Sequence, residues 1–285
     1  MKNITRDNLT DTVKSSFANI DDERLKHLVN RLAHHLHAFA TETQLTHDEW
    51  REGIAFLHRA AEISSPSRSE FTLMSDVLGL SSLVDLLAAR AGATEGSVLG
   101  PFHTRGSPWM DNGSNLIKDN TGDPVLIRGR VTDIHGQPLP EATLDFWQNA
   151  DNGMYWQMDD SQPQDNLRCQ IKVQADGSFE LATIRPRPYL VPTDGPVGEL
   201  LRVSHRDAWR PAHYHVIVEA PGYRSLITEV FDASDPWLDK DAVFGVRASL
   251  VCDFQNESDP ATSARMGLPA QYFAIDLPIR LARED

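Results

Sequence analysis

The run Val125-Leu126-Ile127-Arg128-Gly129-Arg130-Val131 leads into His135-Gly136-Gln137-Pro138 and then into residues 142–148. Its first part is rich in branched apolar residues, and its middle carries the Gly and Pro that punctuate a turn. We read the stretch as a strand, a turn and a returning strand. Further strands are predicted over 170–173, 178–183, 212–220, 226–231 and 272–277. Many short strands separated by turn residues point to an antiparallel β-sandwich.

Upstream the period changes. Leu25, Leu28, Val29, Leu32, Leu36 and Phe39 recur at three- and four-residue steps, which is one stripe of an amphipathic helix. A second helix is predicted to open at Thr46, because Thr46 followed by Glu49 forms a capping box ahead of Trp50, Ile54, Leu57 and Ala61. A third is predicted from Glu70 through Leu87. The fold class expected is therefore mainly β with α: a helical N-terminal domain over 1–100, then a β-sandwich domain over 101–285 that carries the chemistry.

Composition narrows the function classes. Against 41 acidic residues there are 27 Lys and Arg, a formal charge of -14, and such a surface repels a phosphate backbone. Nucleic acid is not an expected partner. Cys169 and Cys252 form no metal-type pair and read as reduced thiols. The N-terminus has no apolar signal region, and no run approaches the length of a membrane span, so the chain is expected to be cytoplasmic and without membrane insertion. The sequons at Asn3, Asn8, Asn112 and Asn256 are then chance matches.

The densest chemical signal is Arg210-Pro211-Ala212-His213-Tyr214-His215-Val216. Residues two apart on a strand project from one face, so His213 and His215 can converge on one ion. Taken alone the pair is a weak signal, and exposed or core histidines are its commoner meaning. His34, His35 and His37 lie on the first long helix and read as a solvated face or part of a dimer seam. Residues 92–100 contain glycines but no dinucleotide or phosphate-loop arrangement, and neither a nucleophile elbow nor an HExxH motif is present.

Five stretches, over 93–102, 129–148, 185–189, 210–216 and 241–246, resemble the intradiol ring-cleaving dioxygenases, and among them the hydroxyquinol-cleaving members. The resemblance implies an Fe(III) enzyme, one iron per subunit, held by Tyr155, Tyr189, His213 and His215. Periodicity would not have selected the two tyrosines, whose ordinary fate is a core position with a satisfied hydroxyl. The chemistry nevertheless agrees, because phenolate is a hard anionic donor suited to a hard trivalent ion and ill suited to zinc. Tyr189 is implied as the ligand that substrate displaces and Arg210 as the cation beside the bound diolate. A guanidinium does not titrate, so it can stabilise negative charge without acting as a base.

The resemblance further implies a pocket lined by Leu73, Asp76, Val98, Leu99, Gly100, Pro101 and Phe102. Asp76 stands where catechol-cleaving relatives tend to have an apolar residue, and could accept a hydrogen bond from a third hydroxyl. Glu229 stands where many of those relatives carry Gln. The reaction implied is cleavage of hydroxyquinol (benzene-1,2,4-triol) by O2 to 3-hydroxy-cis,cis-muconate, with catechol or chlorocatechol as rival substrates. A homodimer through the N-terminal helices, with phospholipid between them, is implied as well. From a different class, residues 129–142 also resemble transthyretin-like sandwich modules that only bind.

Overall fold

Two compact units divide the chain, Met1–His58 and Arg59–Asp285, and the computed structural model describes residues 3–66 and 68–284. The first unit is helical. It contains α1 (Leu9–Ser16), α2 (Glu23–Glu42) and the opening of α3 (His47–Ile63). The Asp22 carboxylate caps α2 by accepting from the Arg24 and Leu25 N–H groups. At the start of α3 the capping box is formed. The Thr46 N–H and hydroxyl donate to Glu49 at 2.9 and 2.8 Å, and the Glu49 N–H donates back to Thr46 Oγ1 at 3.3 Å. The predicted stripe of α2 is helical, but Leu25, Leu28, Leu32, Leu36 and Phe39 are all exposed.

The second unit begins with the rest of α3, then α4 (Glu70–Val77) and α5 (Leu80–Ala88). The single helix predicted for this region is two, bent by 73°. Gly79 breaks it by adopting φ +75°, a left-handed conformation that costs glycine little. The change from helices to strands near residue 100 therefore falls inside the second unit. Among the described residues no single helix is long and apolar enough to cross a membrane.

The strands are β1 (Pro124–Asp133), β2 (Thr143–Trp147), β3 (Arg168–Lys172), β4 (Ser178–Ile184), β5 (Tyr189–Leu190), β6 (Trp209–Arg210), β7 (His213–Glu219), β8 (Leu226–Asp232), β9 (Val251–Cys252), β10 (Gln255–Glu257) and β11 (Tyr272–Leu281). Two short helices interrupt them, α6 (Pro196–Val203) and α7 (Pro260–Met266). One sheet runs β10-β11-β1-β4, the other β3-β2-β7-β8-β9, and β5 pairs with β6 apart from both. Between the two larger sheets lies an apolar core, with Val125 and Ile127 of β1, Phe146 of β2, Val216 of β7 and Ile275 of β11 all buried.

Two departures from the sequence reading have a physical cause. The strand after the 135–138 turn does not return beside β1. Only the isolated bridge Thr132↔Pro138 closes that turn, after which the chain crosses over and β2 pairs with β3 and β7. The place beside β1 goes to β11, and the β1–β11 pair is parallel, as is β8–β9, in an otherwise antiparallel sandwich. Cys169 is buried, Cys252 partly so, and both are free thiols.

Candidate active site

Strand β7 faces two ways. Tyr214, Val216 and Val218 enter the core between the sheets, so the alternation of a strand sends His213 and His215 to the other face. That face is buried too, and the neighbouring strands place Trp147 of β2 and Glu229 of β8 in one cross-strand row with His215. A separate aromatic cluster of Phe102, Trp147, Tyr155 and Tyr189 packs there, with Leu99 and Ile217 against it. The small β5–β6 ladder pairs Tyr189 directly with Arg210.

Four potential donors converge. His213 Nε2 lies 3.1 Å from His215 Nε2 and 3.4 Å from the Tyr155 hydroxyl. The Tyr155 and Tyr189 rings meet edge to face at 5.3 Å. His213 donates from Nδ1 to the Pro211 carbonyl at 2.6 Å, which leaves its Nε2 lone pair turned into the site. Tyr189 Oη and His215 Nδ1 are buried without a well-formed hydrogen bond, although Arg210 and Tyr155 lie near enough to Tyr189 Oη to draw its pKa down. Burial holds both phenols above the ordinary tyrosine range, Tyr155 far above. It pushes His213 down to about 3 and His215 well below 6.5, and Arg210 lowers both further. The site thus presents neutral imidazoles and protonated phenols in a nearly dry pocket, donors that a strongly Lewis-acidic cation would complete.

His213, His215 and Glu229 could also hold a metal ion, since one ligand atom of each lies within 4.8 Å of the others. Glu229 is already engaged. Its oxygens accept from Arg210 Nη1 and Nη2 at 2.7 and 3.1 Å and from the Ser97 hydroxyl at 2.6 Å. Glu229 therefore has less lone-pair capacity left for a metal than Tyr189 Oη, which makes no well-formed hydrogen bond.

Arg210 is buried between two carboxylates. Asp241 accepts from its Nε at 3.0 Å and from Nη2 at 3.3 Å, opposite the Glu229 pair. Burial opposes the guanidinium charge, but Asp241 and Glu229 outweigh it and raise the Arg210 pKa well above its ordinary value. Asp241 lies within 241–246, where the sequence reading gives it no role. The Asp-x-x-x-Gly spacing could have exposed it, because Asp241 also accepts from the Val243 and Gly245 N–H groups and shapes its own turn. A Cβ at Gly245 would stand 2.7 Å from Glu229 Oε2 and 2.8 Å from Arg210 Nη2, so the turn needs glycine there. Ser97, buried beside Glu229, carries no local sequence signal.

The remaining predicted residues divide. Phe102 stacks on Tyr155 at 4.7 Å, and Gly100 abuts the His215 ring. Leu73 and Asp76 are buried on α4, Val98 is buried, and Leu99 and Pro101 are partly exposed. Both Asp76 oxygens lack a hydrogen-bond partner. The nearby Ser81 hydroxyl, which shares a 2.8 Å hydrogen bond with Ser75 Oγ in which either can donate, draws its pKa down. Burial dominates and raises the Asp76 carboxyl to about 6. A cavity of about 590 Å³ opens beside Phe102 and Tyr189, bordered also by Met154, Gln157 and Trp209.

A sandwich, a buried Arg between carboxylates and a Tyr-Tyr-His-His cluster agree with what the resemblance to intradiol dioxygenases implies. The sequence profile of the family described as "Dioxygenase" matches residues 99–277, and that described as "Catechol dioxygenase N terminus" matches 22–96. The chain belongs to the intradiol ring-cleavage dioxygenase family. It is 40% identical over 277 residues to a hydroxyquinol 1,2-dioxygenase of Rhizobium sp. (strain MTP-10005), covering 96% of this chain and 94% of that one. The crystal structure of hydroxyquinol 1,2-dioxygenase from Pseudomonas putida DLL-E4 superposes with a TM-score of 0.83 at 41% identity, covering 98% of this chain and 99% of that one. Wild-type catechol 1,2-dioxygenase of Acinetobacter radioresistens gives 0.84 at 28%, covering 100% and 95%. A purely binding, transthyretin-like role is thereby set aside.

Proposed function

We propose that the protein cleaves hydroxyquinol between its adjacent hydroxylated carbons with O2, giving 3-hydroxy-cis,cis-muconate, the enol form of maleylacetate. The observation that carries the substrate assignment is Asp76, a buried carboxylate with both oxygens unpartnered. A third hydroxyl on the ring would donate to it, whereas catechol would leave it unpaired in a pocket where that is expensive. The similarity to hydroxyquinol 1,2-dioxygenases favours the same reading.

Fe(III), one per subunit, would be held by Tyr155, Tyr189, His213 and His215, and when bound it supplies Lewis acidity and a template for diol and O2. The diol must lose both hydroxyl protons, and Tyr189, one of the residues that would hold the iron as phenolate, would serve as the base for one of them. Tyr189 borders the cavity of about 590 Å³ through which a ring substrate would reach it. Arg210 faces the developing negative charge as a fixed cation, held by Glu229 and Asp241. Leu73, Val98, Leu99, Gly100, Pro101 and Phe102 would exclude water around the ring. The N-terminal helices over 1–100 would form a homodimer seam, possible because the α2 stripe is exposed, with phospholipid in it. We place the enzyme in the cytoplasm, in aromatic compound catabolism.

The test is a visible spectrum of the Fe(III)-loaded protein before and after anaerobic hydroxyquinol, with catechol in parallel. A tyrosinate-to-iron band that shifts with hydroxyquinol and is altered in Tyr155→Phe is expected. A colourless protein after reconstitution overturns the iron reading, and an equal response to catechol overturns the substrate reading.

A further inference from the structure

We propose that Trp147 is a positioning residue for the metal ligand His215, substituting a ring stack for the hydrogen bond that His215 lacks. This rests on the ligand reading of His215. Histidines that bind metals ordinarily fix ring and tautomer by donating their other nitrogen to an acceptor. His213 does so, to the Pro211 carbonyl at 2.6 Å. His215 does not, because its Nδ1 is buried without a partner. The nearest carboxylate oxygen, Glu229 Oε1, is 3.6 Å away, beyond hydrogen-bond reach, and already accepts from Arg210 at 2.7 Å.

What His215 has instead is a flat surface. The Trp147 and His215 rings lie 4.7 Å apart and within 3° of parallel. The β2–β7 register sets them directly opposite one another, so the stack is built into the sheet. The indole Nε1 is itself buried without an acceptor, which leaves Trp147 to act here by its face. His103 packs on Trp147 in turn, with ring centroids 4.8 Å apart, and its Nε2 lies 3.4 Å from Asp145 Oδ2. Gly100 closes the imidazole edge: a Cβ there would come within 3.2 Å of His215 Cε1 and 3.4 Å of Nε2. The imidazole is held by shape, between an indole and a backbone that a side chain would crowd.

The test compares Fe(III) binding in Trp147→Phe, Trp147→Leu and Gly100→Ala with wild type. Affinity is read by competition against citrate, ligand geometry by the EPR line shape of the loaded protein, and folding by thermal unfolding of the metal-free forms. Trp147→Leu is expected to weaken iron binding about 10- to 100-fold and to alter the EPR line shape. Trp147→Phe, which keeps a ring face, is expected to restore most of both. A folded Trp147→Leu with wild-type affinity and line shape overturns the proposal. Should that variant fail to fold, Gly100→Ala decides, since it presses the same ring: unchanged affinity and line shape there overturn it equally. Wild-type protein that takes up no iron would remove the ligand reading and this proposal together, a result distinct from normal uptake in every variant.

Discussion

Arg210 and Glu229 form a doubly hydrogen-bonded ion pair, at 2.7 and 3.1 Å, in which neither side chain reaches solvent. With Asp241 on its other side, the guanidinium neutralises one of two buried carboxylates and hydrogen-bonds both. Arg210→Leu would strand both anions, and a loss of about 3–5 kcal/mol is expected in urea unfolding of the metal-free protein. Glu229→Gln keeps an acceptor for Arg210 and for Ser97, so the loss should be smaller, about 1–2 kcal/mol. Equal losses would contradict the unequal roles drawn for the two residues.

Asp76 predicts a pH dependence of stability. Its carboxyl is raised by burial from 3.8 to about 6. Between those values the folded protein keeps a proton that the unfolded chain has lost, so stability falls as pH rises through that window. Above about 6 the full cost of the buried charge is present. Asp76→Asn should therefore stabilise the protein at pH 7.5 by up to about 3 kcal/mol, with the gain fading toward pH 3.5. Parallel unfolding curves at the two pH values check this, and a gain of equal size at both would refute it. The same variant should lose preference for hydroxyquinol over catechol, read as the ratio of kcat/KM values.

These residues differ in how readable they were. The strands announced themselves through branched residues and turn punctuation, and the α3 capping box through Thr46 and Glu49, because those signals are local. Pairing is not local. Nothing within 125–148 tells that β2 leaves for the other sheet or that β11 takes its place beside β1, since each strand has the same alternation either way. The break at Gly79 was lost inside an apolar run that continues on both sides of it. His213 and His215 were visible as a strand pair. Tyr155 and Tyr189 came only through resemblance, and Trp147 needed the β2–β7 register.

Metal loading should release protons from identifiable groups. Burial keeps both phenols protonated at neutral pH and both imidazoles neutral, so only the tyrosines have protons to give up. Titrating metal-free protein with a weak Fe(III) chelate at pH 7, with the chelate's own proton balance subtracted, should show about one fewer proton released in Tyr155→Phe. Release unchanged in that variant would mean Tyr155 does not bind as phenolate.

Gly245 offers a test of the turn that holds Arg210. A methyl group there would stand 2.7 Å from Glu229 Oε2, 2.8 Å from Arg210 Nη2 and 3.0 Å from Asp241 Oδ2. Gly245→Ala should cost about 1–3 kcal/mol by overpacking and lower kcat by disturbing the guanidinium. Wild-type stability together with wild-type kcat would show that the cluster has slack.

The place of β11 between β10 and β1 has a consequence for biosynthesis. Every strand that carries a candidate ligand leaves the ribosome before residue 272, yet one sheet of the sandwich still lacks an inner strand at that moment. Until β11 is made, β1 has only β4 beside it and β10 has no neighbour in that sheet, so the core lacks Ile275, Leu277 and Ile279. Completion of the four-stranded sheet, and of the core it covers, therefore waits on a strand made after every candidate ligand.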